Sequence, residues 1–313
     1  MIRTKGLTKY YGSRCAVRDL SVTIQDREIV GFLGRNGAGK TTMLRMLAGL
    51  LAPSSGQIEI DGQVMDATEG DFRWRIGFLP DRPPLYEQMK VRGYLEFVAR
   101  LRGFPISKLA ARIAQVLEFT SLTDRADDSI MSLSQGYKQR VGIAQAVVHD
   151  PALVILDEPI TGLDPVQLRE IRALIRDLKQ EHTVLLSSHN LQEVHQTCDR
   201  LLVIEEGKLV FSGTEQEATE RGRAQASLLV TTKGEKQLVQ STFDAAQNEG
   251  LVSNWDFERS LDGEHTLRVS AAREDAPESL AKAIVQSGLG LRALGTATDQ
   301  LEDVFAELTE KAQ

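Results

Sequence analysis

The chain is poor in cysteine and contains no zinc-type arrangement of histidines. Its only two cysteines among 313 residues, Cys15 and Cys198, lie far apart and form no CxxC pair. This pattern excludes a disulfide framework and indicates free thiols in a reducing compartment. The five histidines also lack the spacing of zinc ligands. A fold held together by disulfides or structural zinc is therefore excluded.

The sequence also lacks long hydrophobic runs. No stretch approaches the roughly 18 apolar residues that a membrane-spanning helix needs, and segments such as 152–156 suit buried strands. The residues at 1–6 lack the apolar core of a signal peptide. We therefore expect the chain to stay in the cytoplasm and to reach any membrane only through a partner.

Charge is distributed unevenly along the chain. The net charge is −7, but residues 214–313 carry 18 acidic and 10 basic residues, whereas residues 1–213 carry 26 and 27. This step predicts one domain over 1–213 and a second over 214–313. The acidic balance gives no support for a nucleic-acid partner, because nucleic-acid phosphates call for a basic face.

Short apolar segments alternate with amphipathic ones in the first domain. The alternation predicts an α/β fold with a largely parallel, wound sheet and a helical segment inserted at 90–149. The predicted strands are 21–24, 29–33, 57–60, 152–158, 183–187, 201–205 and 209–211. The predicted helices are 41–50, 91–101, 106–119, 166–179 and 190–197.

Residues 214–313 have a different rhythm. Strands are predicted at 227–232, 252–258, 265–270 and 291–296, and helices at 235–247, 277–286 and 301–308. The resulting βαββαβ order with a trailing helix predicts a small α+β module of the ferredoxin-like type. No catalytic group of residues is evident there, and we expect this module to stabilise a homodimer or to dock a partner.

A glycine-rich loop, Gly-Arg-Asn-Gly-Ala-Gly-Lys-Thr at 34–41, joins a predicted strand to a predicted helix. Glycines allow backbone N–H groups to converge on one point, and the N-terminus of a helix attracts anions. Lys40 can reach the β- and γ-phosphates of a nucleotide, and Thr41 offers a hydroxyl to Mg²⁺. The loop therefore predicts a nucleotide-phosphate site.

Two acidic residues, Asp157 and Glu158, follow the apolar segment 153–156. In wound α/β folds, the carboxyl end of such a strand lies beside the phosphate loop. Asp157 is placed to hold Mg²⁺, and Glu158 to polarise an attacking water.

These motifs and several others, in this order along the chain, make residues 1–213 resemble the ABC ATPase family. The resemblance implies that Tyr11, with Tyr10 as the alternative, stacks on adenine and that Val17 lies beside it. It implies phosphate and nucleotide contacts from Asn36, Gly37, Ala38, Gly39, Lys40, Thr41 and Thr42.

Leu-Ser-Gln-Gly-Tyr at 133–137 resembles the family signature, whose common form is Leu-Ser-Gly-Gly-Gln. In the family this element contacts ATP bound by the other chain of a head-to-tail dimer, which implies that role for Ser134, Gln135 and Gly136. Asp164 resembles the residue that links the two sites of the dimer. His189 resembles the switch histidine that contacts the γ-phosphate, and we take it with Glu158 and Lys40 as catalytic.

One position departs from the family. The segment 76–81 resembles a loop that normally ends in a glutamine contacting Mg²⁺, but here it ends in Asp81. A carboxylate is also a hard oxygen ligand, so we expect Mg²⁺ to be held by Thr41, Asp81 and Asp157. The alternative is that Asp81 only caps a turn.

Residues 84–97, 136–142 and 301–305 resemble the gliding-motility branch, whose ATPases serve ABC-2 exporters. This resemblance implies an ATP- and Mg²⁺-dependent ATPase that pairs with integral-membrane permease subunits at the cytoplasmic face of the inner membrane. A groove near 72–95, with Leu85, Tyr86 and Met89 exposed, is expected to receive a short helix of the permease. The alternative is an ABC ATPase that acts on ribosomes or DNA without a transporter.

Overall fold

The structure is a computed structural model that describes residues 1–65, 70–189, 194, 197–214, 216–218, 227–273 and 275–296. The chain divides into two compact units, Met1–Glu215 and Gln216–Gln313, each with its own apolar core. The helix predicted at 301–308 and most of the one at 190–197 lie outside the described residues.

The first unit is built on a mostly parallel sheet. Neighbouring strands are parallel except at one edge, where β11 runs antiparallel to β10. The predicted wound α/β sheet is thus confirmed. Among the described residues the order is β11 (Lys208–Gly213), β10 (Arg200–Glu205), β4 (Ile29–Leu33), β9 (Thr183–Ser188), β8 (Leu153–Asp157) and β7 (Ile76–Leu79).

Three of the four inner strands of this sheet are buried along their whole length. Every residue of β4, β8 and β9 is buried, as expected for parallel strands covered on both faces. Because β4, β7, β8 and β9 run parallel, their carboxyl ends meet at one edge. The segment 76–79, which the sequence suggested was loop, is strand β7 and pairs with β8 in this sheet. Asp81 therefore lies at the same edge as Glu158.

A second sheet of the first unit is antiparallel. It contains β1 (Ile2–Tyr11), β2 (Arg14–Leu20), β3 (Thr23–Ile24), β5 (Ser55–Ile60) and β6 (Gln63–Val64). The strand predicted at 21–24 is shorter in the structure, where β3 begins at Thr23 and the N–H of Val22 donates to Oγ1 of Thr4. The predicted hairpin turn is present, with positive φ at Asp61 and Gly62.

The helices of the first unit follow the predictions closely. The inserted helical segment consists of α2 (Val91–Leu101), α3 (Ile106–Phe119) and α4 (Gln135–Val147). α1 (Lys40–Leu47) ends three residues earlier than predicted, since Gly49 has a φ of +68° and terminates the helix. α5 (Pro165–Leu178) is one residue out of step with its prediction. No helix in the described ranges has both the length and the apolar character to span a bilayer.

The second unit has the predicted βαββαβ order. Its elements are β12 (Ser227–Lys233), α6 (Lys236–Asn248), β13 (Val252–Leu261), β14 (Glu264–Ala271), α7 (Ala276–Gln286) and β15 (Gly290–Thr296). The described strands pair antiparallel in the order β13-β14-β12-β15, which is the ferredoxin-like arrangement. Phe243 of α6 is fully buried in the core beneath this sheet.

Candidate active site

A pocket of about 520 Å³ opens at the carboxyl edge of the parallel sheet. Its volume lies in the usual range for small-molecule sites. Ten of the site residues suggested by the sequence line it, namely Tyr11, Asn36, Gly37, Gly39, Lys40, Thr41, Thr42, Asp81, Glu158 and His189. Residues from the ends of β4, β7, β8 and β9 therefore converge on one cavity.

Lys40 lies buried at the base of the glycine-rich loop. Its Nζ donates a hydrogen bond to the carbonyl of Gly34 at 2.6 Å and lies 3.9 Å from Oε1 of Glu158. Burial lowers the pKa of Lys40, and the negative charges of Glu158 and Asp157 oppose that shift. The loop thus holds a partly desolvated positive charge at the N-terminus of α1. Electrostatic attraction of an anionic group is strongest at such a place.

Glu158 is the centre of a hydrogen-bonded network. Its Oε2 accepts hydrogen bonds from Nδ1 of His189 at 2.9 Å and from Oγ1 of Thr161 at 3.1 Å. Its backbone has a φ of +52°, and its N–H donates to Oγ of Ser187 at 2.9 Å. A non-glycine residue in the left-handed region is strained, and such strain clusters at functional sites. The carboxylate is held in place from three sides.

Asp157 lies just behind the pocket wall and is buried. Its Oδ1 accepts a hydrogen bond of 2.6 Å from Oγ of Ser187 and one of 3.4 Å from Oγ1 of Thr41. Burial raises the pKa of Asp157, and the charges of Glu158 and Asp81 raise it further. A bound cation would relieve this repulsion, and a hydroxyl with nearby carboxylates is the hard oxygen set that Mg²⁺ prefers. The residues present therefore fit a magnesium ion.

Two of the predicted nucleotide contacts, Val17 and Ala38, are not among the residues that line the pocket. Val17 is fully buried in the core of the first unit, while its neighbour Ala16 lines the pocket. Ala38 is also buried, and its backbone serves the fold because its carbonyl accepts a hydrogen bond from the N–H of Gly207. Of the two candidate tyrosines, Tyr11 lines the pocket.

The pocket also contains residues that sequence reasoning missed. Arg14, Ala16, Arg35 and Thr161 line it. Arg14 pairs directly with Tyr11 across the β1–β2 hairpin. The two-residue turn between them was the sequence feature that could have placed Arg14 beside Tyr11. Arg35 belongs to the glycine-rich loop itself, and Thr161 follows Glu158 by one turn. Three cations and two carboxylates thus face the cavity, a balance suited to an anionic ligand.

The signature segment and Asp164 do not line this pocket. Ser134 caps α4 because its side-chain oxygen accepts a hydrogen bond from the N–H of Tyr137, and both Ser134 and Gln135 are exposed. Asp164 caps α5 by accepting the N–H groups of Val166 and Gln167, both at 2.9 Å. The described chain therefore brings together only one part of the predicted site residues.

The chain is similar to proteins of known class along almost its whole length. The sequence model of the ABC transporter family matches residues 17–161. The bacitracin transport ATP-binding protein BcrA of Bacillus licheniformis is 37% identical over 311 residues, covering 98% of this chain and 97% of the relative. The linearmycin resistance ATP-binding protein LnrL of Bacillus subtilis (strain 168) is 30% identical over 311 residues, 99% of this chain and 98% of the relative.

Solved structures agree with this placement. The structure of cbiO1 from Clostridium perfringens, part of the ABC transporter complex cbiONQ, superposes with a TM-score of 0.66 at 29% identity. It covers 71% of this chain and 92% of the solved one. The chain belongs to the ABC transporter family, as one of its ATP-binding and ATP-hydrolysing subunits.

Proposed function

We propose that this chain powers an ABC-2-type membrane exporter through ATP-driven closure of a head-to-tail homodimer. One observation carries the catalytic part of the proposal: the carboxylate of Glu158 is held between His189, Thr161 and Lys40 at the wall of the pocket. A fixed base next to a phosphate-binding cation is the arrangement that hydrolysis of a phosphoanhydride needs.

In this proposal, each polar group around the pocket has one task. The N–H groups of the glycine-rich loop and Lys40 bind the β- and γ-phosphates. Glu158 orients the attacking water and accepts its proton. His189, whose Nδ1 is already engaged by Glu158, presents the opposite edge of its ring toward the γ-phosphate. Tyr11 offers a flat apolar face to the adenine.

Thr41, Asp157 and Asp81 are the residues that would hold Mg²⁺. The ion, when bound, neutralises charge on the phosphates of ATP. Asp157 is fixed by Ser187 and Thr41, whereas Asp81 is exposed at the pocket wall. The more rigid part of the metal site is therefore the pair Thr41 and Asp157.

The dimer part of the proposal is supported by what the pocket lacks. Ser134, Gln135, Gly136 and Asp164 lie outside the lining of the pocket that the described residues form. Ser134 and Gln135 are exposed and free to contact a nucleotide on another copy. ATP then favours the closed dimer because the nucleotide contacts both chains, and hydrolysis of ATP allows the dimer to open.

The exporter part of the proposal is supported by relatives that extend through residues 214–313. Two of them are named for bacitracin transport and linearmycin resistance. We infer from them a permease partner and a position at the cytoplasmic face of the inner membrane, with 214–313 as an accessory domain. Near the expected permease groove Tyr86 is exposed as predicted, at 56%, but Leu85 and Met89 are half-buried, so the prediction that all three are exposed is wrong for these two.

The test of the catalytic assignment is ATP turnover by purified Glu158→Gln protein. We expect kcat to fall by about 10²–10⁴, because the amide cannot accept the proton of the attacking water. ATP affinity should change little, since the side chain keeps its shape. Glu118→Gln is the matched control, the same substitution at an exposed position of α3. Unchanged turnover in Glu158→Gln would remove Glu158 as the base.

The exporter assignment has its own test. A tagged chain should co-purify an integral-membrane protein from detergent-solubilised cells, and the ATPase should respond to that protein. Co-purification of ribosomes or DNA in its place would contradict the assignment.

A further inference from the structure

The first turns of α4 are bonded to the loop that carries Glu158. Gln139 of α4 is 5% exposed, and its Nε2 donates a hydrogen bond of 2.7 Å to the carbonyl of Pro159. Pro159 directly follows Glu158, and Gln139 lies little more than one turn beyond the signature residue Ser134. A buried amide-to-carbonyl bond therefore joins the signature helix to the residue after the proposed base.

The same helix also contacts the other end of this loop, residues 158–164. Gly136 lies against the side chain of Gln167, and a Cβ at position 136 would stand 2.6 Å from Cδ of Gln167. Gln167 belongs to the first turn of α5, whose N-cap is Asp164 at the end of the loop. α4 thus holds the loop near its start and near its end.

The position of Glu158 depends on such support because its backbone is strained. A residue with φ of +52° keeps that conformation only when its surroundings fix it. Ser187 holds the N–H side of Glu158, and Gln139 holds the carbonyl of the next residue. A shift of α4 would therefore act on the backbone directly after Glu158, through the carbonyl of Pro159.

We propose that Gln139 is a positioning residue that couples the two ATP sites of the homodimer. The inference rests on the proposed head-to-tail dimer. There, Ser134 and Gly136 of each chain contact the nucleotide on the other chain, while Glu158 serves the nucleotide on its own chain. Gln139 connects these two elements within one chain, so occupancy of one site sets the placement of the base in the other.

The experiment compares Gln139→Met with Gln145→Met. Methionine keeps the length and the buried volume of the side chain but cannot donate a hydrogen bond. Gln145 is the matched control because it lies on the same helix and its Nε2 donates to a backbone carbonyl, that of Phe78, at 2.9 Å. Neither glutamine lines the nucleotide pocket. Three quantities are measured for both: kcat, ATP affinity, and the Hill coefficient for ATP.

We expect Gln139→Met to lower kcat by about 10- to 100-fold, the size of effect that a misplacement near 1 Å produces. The Hill coefficient should fall toward 1, the value for uncoupled sites, while ATP affinity changes less than about twofold. Gln145→Met should keep the wild-type Hill coefficient, even where both variants lose similar thermal stability. Equal Hill coefficients in the wild type and Gln139→Met would overturn the inference.

A second measurement separates this inference from the dimer on which it rests. In a Glu158→Gln background, which should trap ATP, the added Gln139→Met change should leave ATP-dependent dimerisation intact by analytical ultracentrifugation. Loss of dimerisation only in the double variant would show that Gln139 merely supports the signature and would overturn the coupling role. Absence of dimerisation in Glu158→Gln itself would instead contradict the proposed function.

Discussion

The two units use similar residues for different purposes. In the first unit His189 is 47% exposed at the pocket and bonds to Glu158, whereas His265 of the second unit is buried and bonds to Ser260 and to the carbonyl of Gly234. Nζ of Lys40 donates to the glycine-rich loop, whereas Nζ of Lys236 lies 5.0 Å from the ring centroid of Phe257. Residue type alone therefore does not define the site.

Strand direction explains the difference. In the parallel sheet, β4, β7, β8 and β9 all end at one edge, so polar residues far apart in sequence meet there. In the antiparallel sheet of the second unit, neighbouring strands end at opposite edges, and its charged residues spread over exposed surface, as in the ion pair between Arg268 and Glu258. We therefore expect ATP hydrolysis to take place in the first unit. The second unit is expected to stabilise the homodimer or to dock a partner.

The largest expected effect concerns the core of the second unit. Phe243→Ala should lower the free energy of unfolding of that unit by about 3–5 kcal/mol, because it leaves a cavity in a fully buried position. Urea denaturation measures this change, and Leu238→Ala, at a 40% exposed position of the same helix, should cost less than about 1 kcal/mol. ATP affinity should stay within about twofold. A large loss of ATP affinity in Phe243→Ala would break the comparison between the units.

The next effect is a pH dependence in the first unit. Burial lowers the pKa of His149 to about 4 from its ordinary 6.5, aided by the charge of Arg102. Its Nε2–H donates to the carbonyl of Ile76 at 3.2 Å, as a neutral ring can. Between those two pKa values the unfolded chain binds more protons, so stability is lost as pH falls from about 6.5 to about 4, by up to about 3 kcal/mol.

Urea denaturation across this pH range tests that prediction. His149→Gln keeps a donor for the carbonyl of Ile76 but removes the titrating group. The variant should lose less stability than the wild type as pH falls, by up to about 3 kcal/mol. The same pH slope in both proteins would show that other groups cause the effect.

A smaller effect is expected at Arg14, which lines the pocket beside the glycine-rich loop. Its Nη2 lies 3.7 Å from the place where a Cβ of Gly37 would stand. Arg14→Gln should weaken ATP binding by about tenfold, which is the contribution of one charge-assisted hydrogen bond to a phosphate. Binding of adenosine, which has no phosphate, should hardly change. Calorimetric titration with both ligands measures this, and Arg18→Gln, exposed on the same strand, is the control. An equal loss for ATP and adenosine would exclude a phosphate contact.

The smallest effect is expected at Asp81, where the family usually has glutamine. Asp81→Gln should raise the Mg²⁺ concentration for half-maximal ATPase activity by about threefold, since an amide oxygen is a weaker ligand for Mg²⁺ than a carboxylate. A Mg²⁺ titration at fixed ATP measures it, and Asp244→Asn in the second unit should have no effect. An unchanged Mg²⁺ requirement would favour the alternative that Asp81 only occupies a turn.

Much of the architecture could be predicted from sequence, because local patterns and motif spacing agreed. Helices α2 and α3 and the βαββαβ order of the second unit follow directly from apolar periodicity. The glycine-rich loop and the acidic end of β8 identified one wall of the pocket. These features depend on residues close together in sequence.

The parts that sequence did not reveal depend on contacts between distant segments. The segment at 76–79 pairs as β7 only because β8 is available beside it. Val17 has the right character for a base contact, but its strand faces it into the core. The bond from Gln139 to Pro159 joins residues on different elements, and no local pattern announces it.

We propose above all that one chain holds only part of an ATP site. The most direct test mixes two variants. Lys40→Ala protein lacks the phosphate-binding lysine, and Ser134→Arg protein has a blocked signature segment. Each variant alone should be inactive. The mixed dimer contains one intact site, because Lys40 comes from the second variant and Ser134 from the first. ATPase activity should therefore rise on mixing above that of either variant, though to less than half the wild-type value, because the second site is inactive and cannot help to place the base of the intact one. Full activity of Ser134→Arg alone, or a mixture no more active than the two variants kept apart, would contradict the claim.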